Sequence, residues 1–169
     1  MPTILVLSDT HLREGEMLPE VVRKVAGSVD LIIHAGDFTS DSCYDELHRF
    51  APLIGVKGNM DSGMATARLP DSDLVQFEGF SIAISHGNRI HGDVAEFART
   101  RFKRPDLIVF GHSHVPCHRV YDDLQILNPG SVTRPRATPA GTYAMVEITS
   151  EGLSCRLLSI CDADSGAAG

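Results

Sequence analysis

Seven side chains in this sequence carry oxygen or imidazole nitrogen donors of the kind that bind divalent cations: Asp9, His11, Asp37, Asn59, His86, His112 and His114. Each stands within a few residues of the end of a short apolar run. "ILVL" (4–7) leads to Ser8-Asp9-Thr10-His11, "LII" (31–33) to His34-Ala35-Gly36-Asp37, and "PLIGV" (52–56) to Lys57-Gly58-Asn59. "SIAI" (81–84) leads to Ser85-His86-Gly87, and "LIVF" (107–110) to Gly111-His112-Ser113-His114. Seven donors exceed what one cation uses at a catalytic site, whereas two cations sharing a carboxylate would use them well. Mixed nitrogen and oxygen donors suit Mn²⁺, Fe²⁺, Zn²⁺ or Co²⁺ and disfavour Ca²⁺ and Mg²⁺, which prefer oxygen throughout. No cysteine is among the candidates, which argues against a structural zinc site. On an extended chain with its two-residue period, His112 and His114 would share one face, with Ser113 turned away.

The elements that must bring these residues together are legible in outline. The five apolar runs have strand length, and most are rich in branched residues, as expected for strands buried on both faces. In residues 16–27 a three-four spacing of Leu18, Val21, Val22, Val25 and Ala26 predicts a helix stopped at Gly27. A second helix carries Cys43, Leu47 and Phe50 on one face behind an Asp41 or Ser42 cap. A third starts at Asp93, with Glu96 placed to complete a capping box and Phe97 and Ala98 facing inward. Residues 73–85 predict two strands joined at Glu78-Gly79, and "LQILN", "TYAMVEI" and "LSCRLLSI" predict three more. A βαβαβ beginning followed by an antiparallel end implies an α/β sandwich on one or two mixed sheets. In such sheets the carboxyl ends of the strands line the ligand crevice, so donors a hundred residues apart would converge.

Composition narrows the classes. With 43% hydrophobic and 22% charged residues the chain leaves little room for extensive disorder, and residues 1–161 are expected to form one domain with a disordered tail at 162–169. A formal charge of −7 argues against binding duplex nucleic acid, whose affinity comes from Lys and Arg on phosphates. The N-terminus has no basic region and too short an apolar run for a signal peptide or a membrane span, so a cytoplasmic location is expected. Homo-oligomerisation is left open. Cys43, Cys117, Cys155 and Cys161 form no CxxC pair and are expected to be reduced.

Asp-Thr-His at 9–11, Gly-Asp at 36–37, Gly-Asn at 58–59, His-Gly at 86–87 and Gly-His-Ser-His at 111–114 resemble, in order, the five blocks of the calcineurin-like metallophosphoesterases. With "NPGSVTRPR" at 128–136, they resemble the small bacterial and archaeal phosphodiesterases of that superfamily. The resemblance implies a four-layer αββα sandwich with two mixed β-sheets. It implies two divalent cations, Mn²⁺ first with Zn²⁺, Fe²⁺, Ni²⁺ or Co²⁺ as alternatives. Asp9, His11 and His114 would hold one, Asn59, His86 and His112 the other, and Asp37 would bridge. It further implies hydrolysis of a small phosphate ester by in-line attack of a metal-bridging hydroxide, with Asp9, Asp37, Asn59 and His86 as the catalytic set. The alternatives are a phosphomonoesterase, or a catalytically weak metal-binding scaffold of the same fold.

Two positions depart from the family pattern. Met60 stands where some relatives carry a histidine near the leaving group, and Asn88 where this subgroup often has a second histidine. Asp61 could replace the lost acid or serve as a turn residue. Asn59, His91 and Arg134 are the candidates for substrate contact. His34 is expected to face the core, and His48 and His118 the surface. Arg99, Arg101, Lys103 and Arg104 are read as structural, placed where a helix end favours cations.

Overall fold

Alternation within the first strand already requires layers on both sides of it. In β1 (Thr3–Leu7) Ile4 and Val6 face one way and Leu5 and Leu7 the other, and all four are buried. The computed structural model describes residues 1–162, so the predicted tail lies, but for Asp162, outside the described residues. Along the chain β1 is followed by α1 (Glu20–Ala26), β2 (Leu31–His34), α2 (Asp41–Phe50), β3 (Leu53–Gly55), β4 (Ser72–Phe77), β5 (Phe80–Ser85) and α3 (Val94–Arg101). Then come β6 (Leu107–Phe110), β7 (Cys117–Val120), β8 (Gln125–Asn128), β9 (Thr142–Thr149) and β10 (Gly152–Ser159). No helix among the described residues is long and apolar enough to cross a membrane.

Two five-stranded sheets result, ordered β10-β9-β1-β2-β3 and β4-β5-β6-β8-β7. Each is parallel at its centre, through β1, β2 and β3 in the first and β5, β6 and β8 in the second. Antiparallel strands complete both. Ile4, Val6, Ile33, Ile82, Ile84 and Val109 fill the space between the sheets. The opposite parity of the first sheet, Leu5, Leu7 and Ile32, packs on Val22 and Ala26 of α1 and Cys43 and Leu47 of α2. Ala83, Ile108 and Ile126 of the second sheet pack on Ala95 and Ala98 of α3. The fold is therefore the expected four-layer αββα sandwich.

Local differences have local causes. The cap of α2 is Ser40, whose hydroxyl accepts the Cys43 N–H, rather than Asp41 or Ser42. Asp41 is thereby free to accept the N–H groups of Met64, Ala65 and Thr66 and to fasten that loop onto α2. Asp93 caps α3 through the Glu96 N–H as predicted. Glu78 and Gly79 both adopt positive φ, 50° and 87°, as a two-residue hairpin turn requires. The edge strand β7 has no readable alternation in "CHRV" and owes its pairing to β8. His118 within it is half-buried and donates to Gln125 Oε1 at 2.9 Å instead of lying on the surface, while His48 is exposed. The four cysteines are free thiols.

His34 is fully buried at the end of β2, stacked on Phe38 with ring centres 3.6 Å apart. Its Nδ1 accepts the Gly36 N–H at 3.2 Å, so the ring proton sits on Nε2 and is donated to Thr10 Oγ1 at 3.1 Å. Burial, reinforced by His86, lowers its pKa from 6.5 to about 3. The unfolded chain therefore binds a proton that the folded chain excludes between those two values, and stability falls as pH drops through that window, by ~1.4 kcal/mol per pH unit from this group at most. Urea unfolding of chelator-treated protein at stepped pH should show about one more proton taken up on unfolding by the wild type than by His34→Gln. Parallel pH profiles for the two proteins would contradict this account.

Candidate metal centre

The loops that follow β1, β2 and β6 turn abruptly at the ligand-type residues. Asp9, His11, Asp37, His112 and His114 all adopt positive φ, between 41° and 71°, a region that costs a non-glycine residue of order 1–3 kcal/mol. Hydrogen bonds between the loops hold these turns. The Asp9 N–H donates to the Gly36 carbonyl, His11 N–H to the Asp37 carbonyl, and His112 N–H to Asp9 Oδ2. This geometry overturns the expectation for His112 and His114. The segment is not extended, and the two side chains do not share a face: His114 is buried and packs against His11, whereas His112 is exposed and edges toward His86.

Asp9 Oδ1 is buried with no hydrogen-bond partner among the described residues, 3.4 Å from His114 Nε2, 3.9 Å from His11 Nε2 and 4.0 Å from His86 Nε2. Asp37 Oδ2 lies 3.4 Å from His11 Nε2 and 3.3 Å from His86 Nε2. Two groups of donors close enough for one ion each follow, Asp9 with His11 and His114, and Asp9 with Asp37 and His86. Asn59 Oδ1 adjoins the second at 3.0 Å from His86 Nε2. The His112 ring stands 5.3 Å from that of His86, centre to centre.

The imidazoles are aimed by their far nitrogens. His86 Nδ1 donates to the Ala35 carbonyl and His114 Nδ1 to the Arg134 carbonyl, each at 2.7 Å, because a carbonyl can only accept. Each Nε2 is thus turned toward the carboxylates, the arrangement by which metal-binding histidines are usually oriented. Burial alone would lower the His86 pKa, but the hydrogen bond and charge of Asp37 outweigh it and raise the value. Asp37 is lowered in return, His86 overcoming the opposing effect of burial. Without a metal, a proton on His86 is the positive charge the carboxylates draw in. An orphaned carboxylate oxygen, two imidazoles oriented through their far nitrogens and this demand for a cation fit a metal centre.

Several residues position the donors without being ligand candidates. A Cβ on Gly58 would lie 2.1 Å from Asp37 Oδ1, and one on Gly111 1.8 Å from Ser8 Oγ, so neither loop could approach with any other residue. Asp61 is buried, with Oδ2 accepting the N–H groups of Asp37 and Gly58 and Oδ1 that of Thr39, all at 2.8–2.9 Å. Both oxygens are occupied, so it ties two loops together rather than replacing a lost acid. The segment after β8 works likewise. Ser131 Oγ donates to the Asp9 carbonyl, Thr133 Oγ1 to that of Thr10, and Asn128 Nδ2 to that of Gly111. It buckles β1 of one sheet to β6 of the other. Arg134 contributes its carbonyl, and its side chain, like His91, is exposed. Arg99 pairs with Asp123.

Residues 3–151 match the family model described as the calcineurin-like phosphoesterase superfamily domain. A probable metallophosphoesterase of Methanothermobacter thermautotrophicus is 35% identical over 158 residues, spanning 90% of both chains. A phosphodiesterase of Methanocaldococcus jannaschii is 26% identical over 74% of this chain and 81% of its own. The crystal structure of a predicted phosphoesterase from Streptococcus pneumoniae superposes with a TM-score of 0.72 at 29% identity, covering 94% of this chain and 89% of the other. With its fold, its five motif blocks and this match over most of its length, the chain belongs to the calcineurin-like phosphoesterase superfamily.

Proposed function

We propose that the chain is a phosphodiesterase that works with two divalent cations, Mn²⁺ first among them. The observation that carries this reading is the position of Asp37, whose Oδ2 stands almost equally close to Nε2 of His11 and of His86, histidines from the two different donor groups. Asp9, His11 and His114 would hold one cation and Asn59, His86 and His112 the other, with Asp37 between them. Bound there, the cations would supply positive charge for phosphoryl oxygens and acidify a water for attack. Asn59 turns Oδ1 toward His86, which leaves its N–H group for a phosphoryl oxygen. The relative named a phosphodiesterase supports a diester as substrate. Asp37→Ala should reduce metal content to one ion or fewer and depress turnover of bis(p-nitrophenyl) phosphate by more than ~100-fold, the upper range for losing a mere orienting partner of a metal ligand. The exposed His48 serves as control, and His48→Ala should change neither quantity. A normal rate with two ions in the Asp37 variant would remove the bridging assignment.

The leaving group receives little help from this chain. Met60 is 55% exposed beside Asn59, and a thioether donates no proton. Asp61 is consumed by three backbone N–H groups. General acid catalysis is typically worth roughly 10²–10⁴ in rate, so its absence penalises poor leaving groups most. A series of aryl and alkyl esters should show a steep dependence of rate on leaving-group pKa and much faster cleavage of aryl diesters than of alkyl monoesters. Met60→His should flatten that dependence by accelerating the poor leaving groups. A shallow wild-type slope would mean that another residue, His91 being the exposed candidate, supplies the proton.

A further inference from the structure

A cavity of about 290 Å³ adjoins the candidate centre through Gly58 and Asn59, near the lower end of the volumes that hold small molecules, ~300–1,000 Å³. Its walls come from the ends of β3 and β5, the strands that also deliver Asn59 and His86. Besides Asn59, four side chains with donor groups line it. Ser85 is only 5% exposed as a residue, and its hydroxyl makes no hydrogen bond among the described residues, so it is open to a group in the cavity. Lys57 is half-buried and has neither an ion pair nor a side-chain hydrogen bond among the described residues. The Asn88 amide is likewise unpaired among them. Arg89 is held by Asp71 at 2.6 Å, but the two side chains are 70% and 58% exposed, and such a pair is worth little and exchanges readily.

The acidic groups of the cavity do not cancel these donors. Asp61 spends both oxygens on backbone N–H groups, and Asp71 serves Arg89. An ammonium without a counter-ion among the described residues is notable in a chain with 22 acidic and 15 basic residues. Placed against a centre that would bind a phosphoryl group, unpaired N–H and O–H donors and a free cation match a second negative charge on the same molecule. We propose that this cavity binds a second anionic group of the substrate, a phosphate or a carboxylate, through Lys57, Ser85 and Asn88, with Arg89 joining when it leaves Asp71. The substrate class is then a phosphate ester carrying a further anionic substituent. This rests on the phosphoesterase reading of the neighbouring centre.

The test uses the manganese-loaded protein and p-nitrophenyl esters of thymidine 5′-phosphate bearing a hydroxyl, a phosphate or a succinate at the 3′ position. The 3′-phosphate ester should exceed the 3′-hydroxyl ester in kcat/KM by about tenfold, the net value of one charge-assisted hydrogen bond. Lys57→Met should bring that ratio close to one. An equal gain from the succinate identifies any anion as ligand, and a gain from the phosphate alone identifies phosphate. Equal rates for the three wild-type reactions, or a tenfold ratio that survives in Lys57→Met, would overturn the assignment. Calorimetric binding of thymidine 3′,5′-bisphosphate against thymidine 5′-monophosphate separates this cavity from the chemistry next to it. Tighter binding of the bisphosphate supports the subsite even where no ester is cleaved, an outcome that would count against the phosphodiesterase reading instead, and equal affinities overturn the subsite.

Discussion

Two buried carboxylates face three imidazoles at 3.3–4.0 Å, and no Lys or Arg among the described residues pairs with them. An ionised carboxylate removed from water is costly unless paired, and Asp9 Oδ1 has no hydrogen bond among the described residues. The imidazoles relieve this only by taking a proton, as His86 tends to do. Metal ions resolve the conflict in a way a proton cannot, because one cation accepts several lone pairs at once. Uptake of metal at the centre is for the same reason coupled to loss of that proton.

Such a cluster would not hold itself together, and much of the neighbouring structure serves to hold it. The parallel strands of both sheets end at one edge, so the donors arrive on strands packed into the core, Asn59 alone following the partly buried edge strand β3. The strained turns that follow are secured by bonds whose partners lie in other loops: Asp61 under Asp37 and Gly58, and Ser131 and Thr133 under the first loop. His34 adds a buried contact from β2 to Thr10, the residue between Asp9 and His11. The strain is local and the restraint is distributed. Removing one restraint should loosen donors from more than one strand, which separates these positioning residues from ordinary core residues.

The parts of this arrangement legible in the sequence are those written in residue type and period. The apolar runs, the helix faces, the Glu78-Gly79 turn and the cluster of donors at strand ends all follow from spacing along the chain. What was not legible depended on partners distant in sequence. The extended-chain argument for His112 and His114 failed because their turns are stabilised by Asp9, over a hundred residues away. Ser40 displaced Asp41 as the cap because Asp41 is occupied by the loop at 64–66. The strand β7 exists only as a partner of β8. Asp61 was visible two residues after Asn59, yet its role turns on the backbone of Asp37 and Thr39, which no local pattern reports.

The acidic balance of the chain and the anionic nature of a phosphate ester pull in opposite directions. At physiological ionic strength exposed charges beyond about 8 Å are largely screened, so the distant acidic surface opposes approach only weakly. What matters is the charge within the first few ångströms. The two divalent cations proposed above would bring four positive charges against the two negative charges of Asp9 and Asp37, and Lys57 stands unpaired among the described residues at the adjoining cavity wall. An acidic protein can thus present a positive locus confined to one edge of its sheets. On that proposal the confinement has a consequence for specificity: an anion large enough to extend past this locus would meet screened but unfavourable surface, whereas a compact one with two charges would engage both the centre and the cavity.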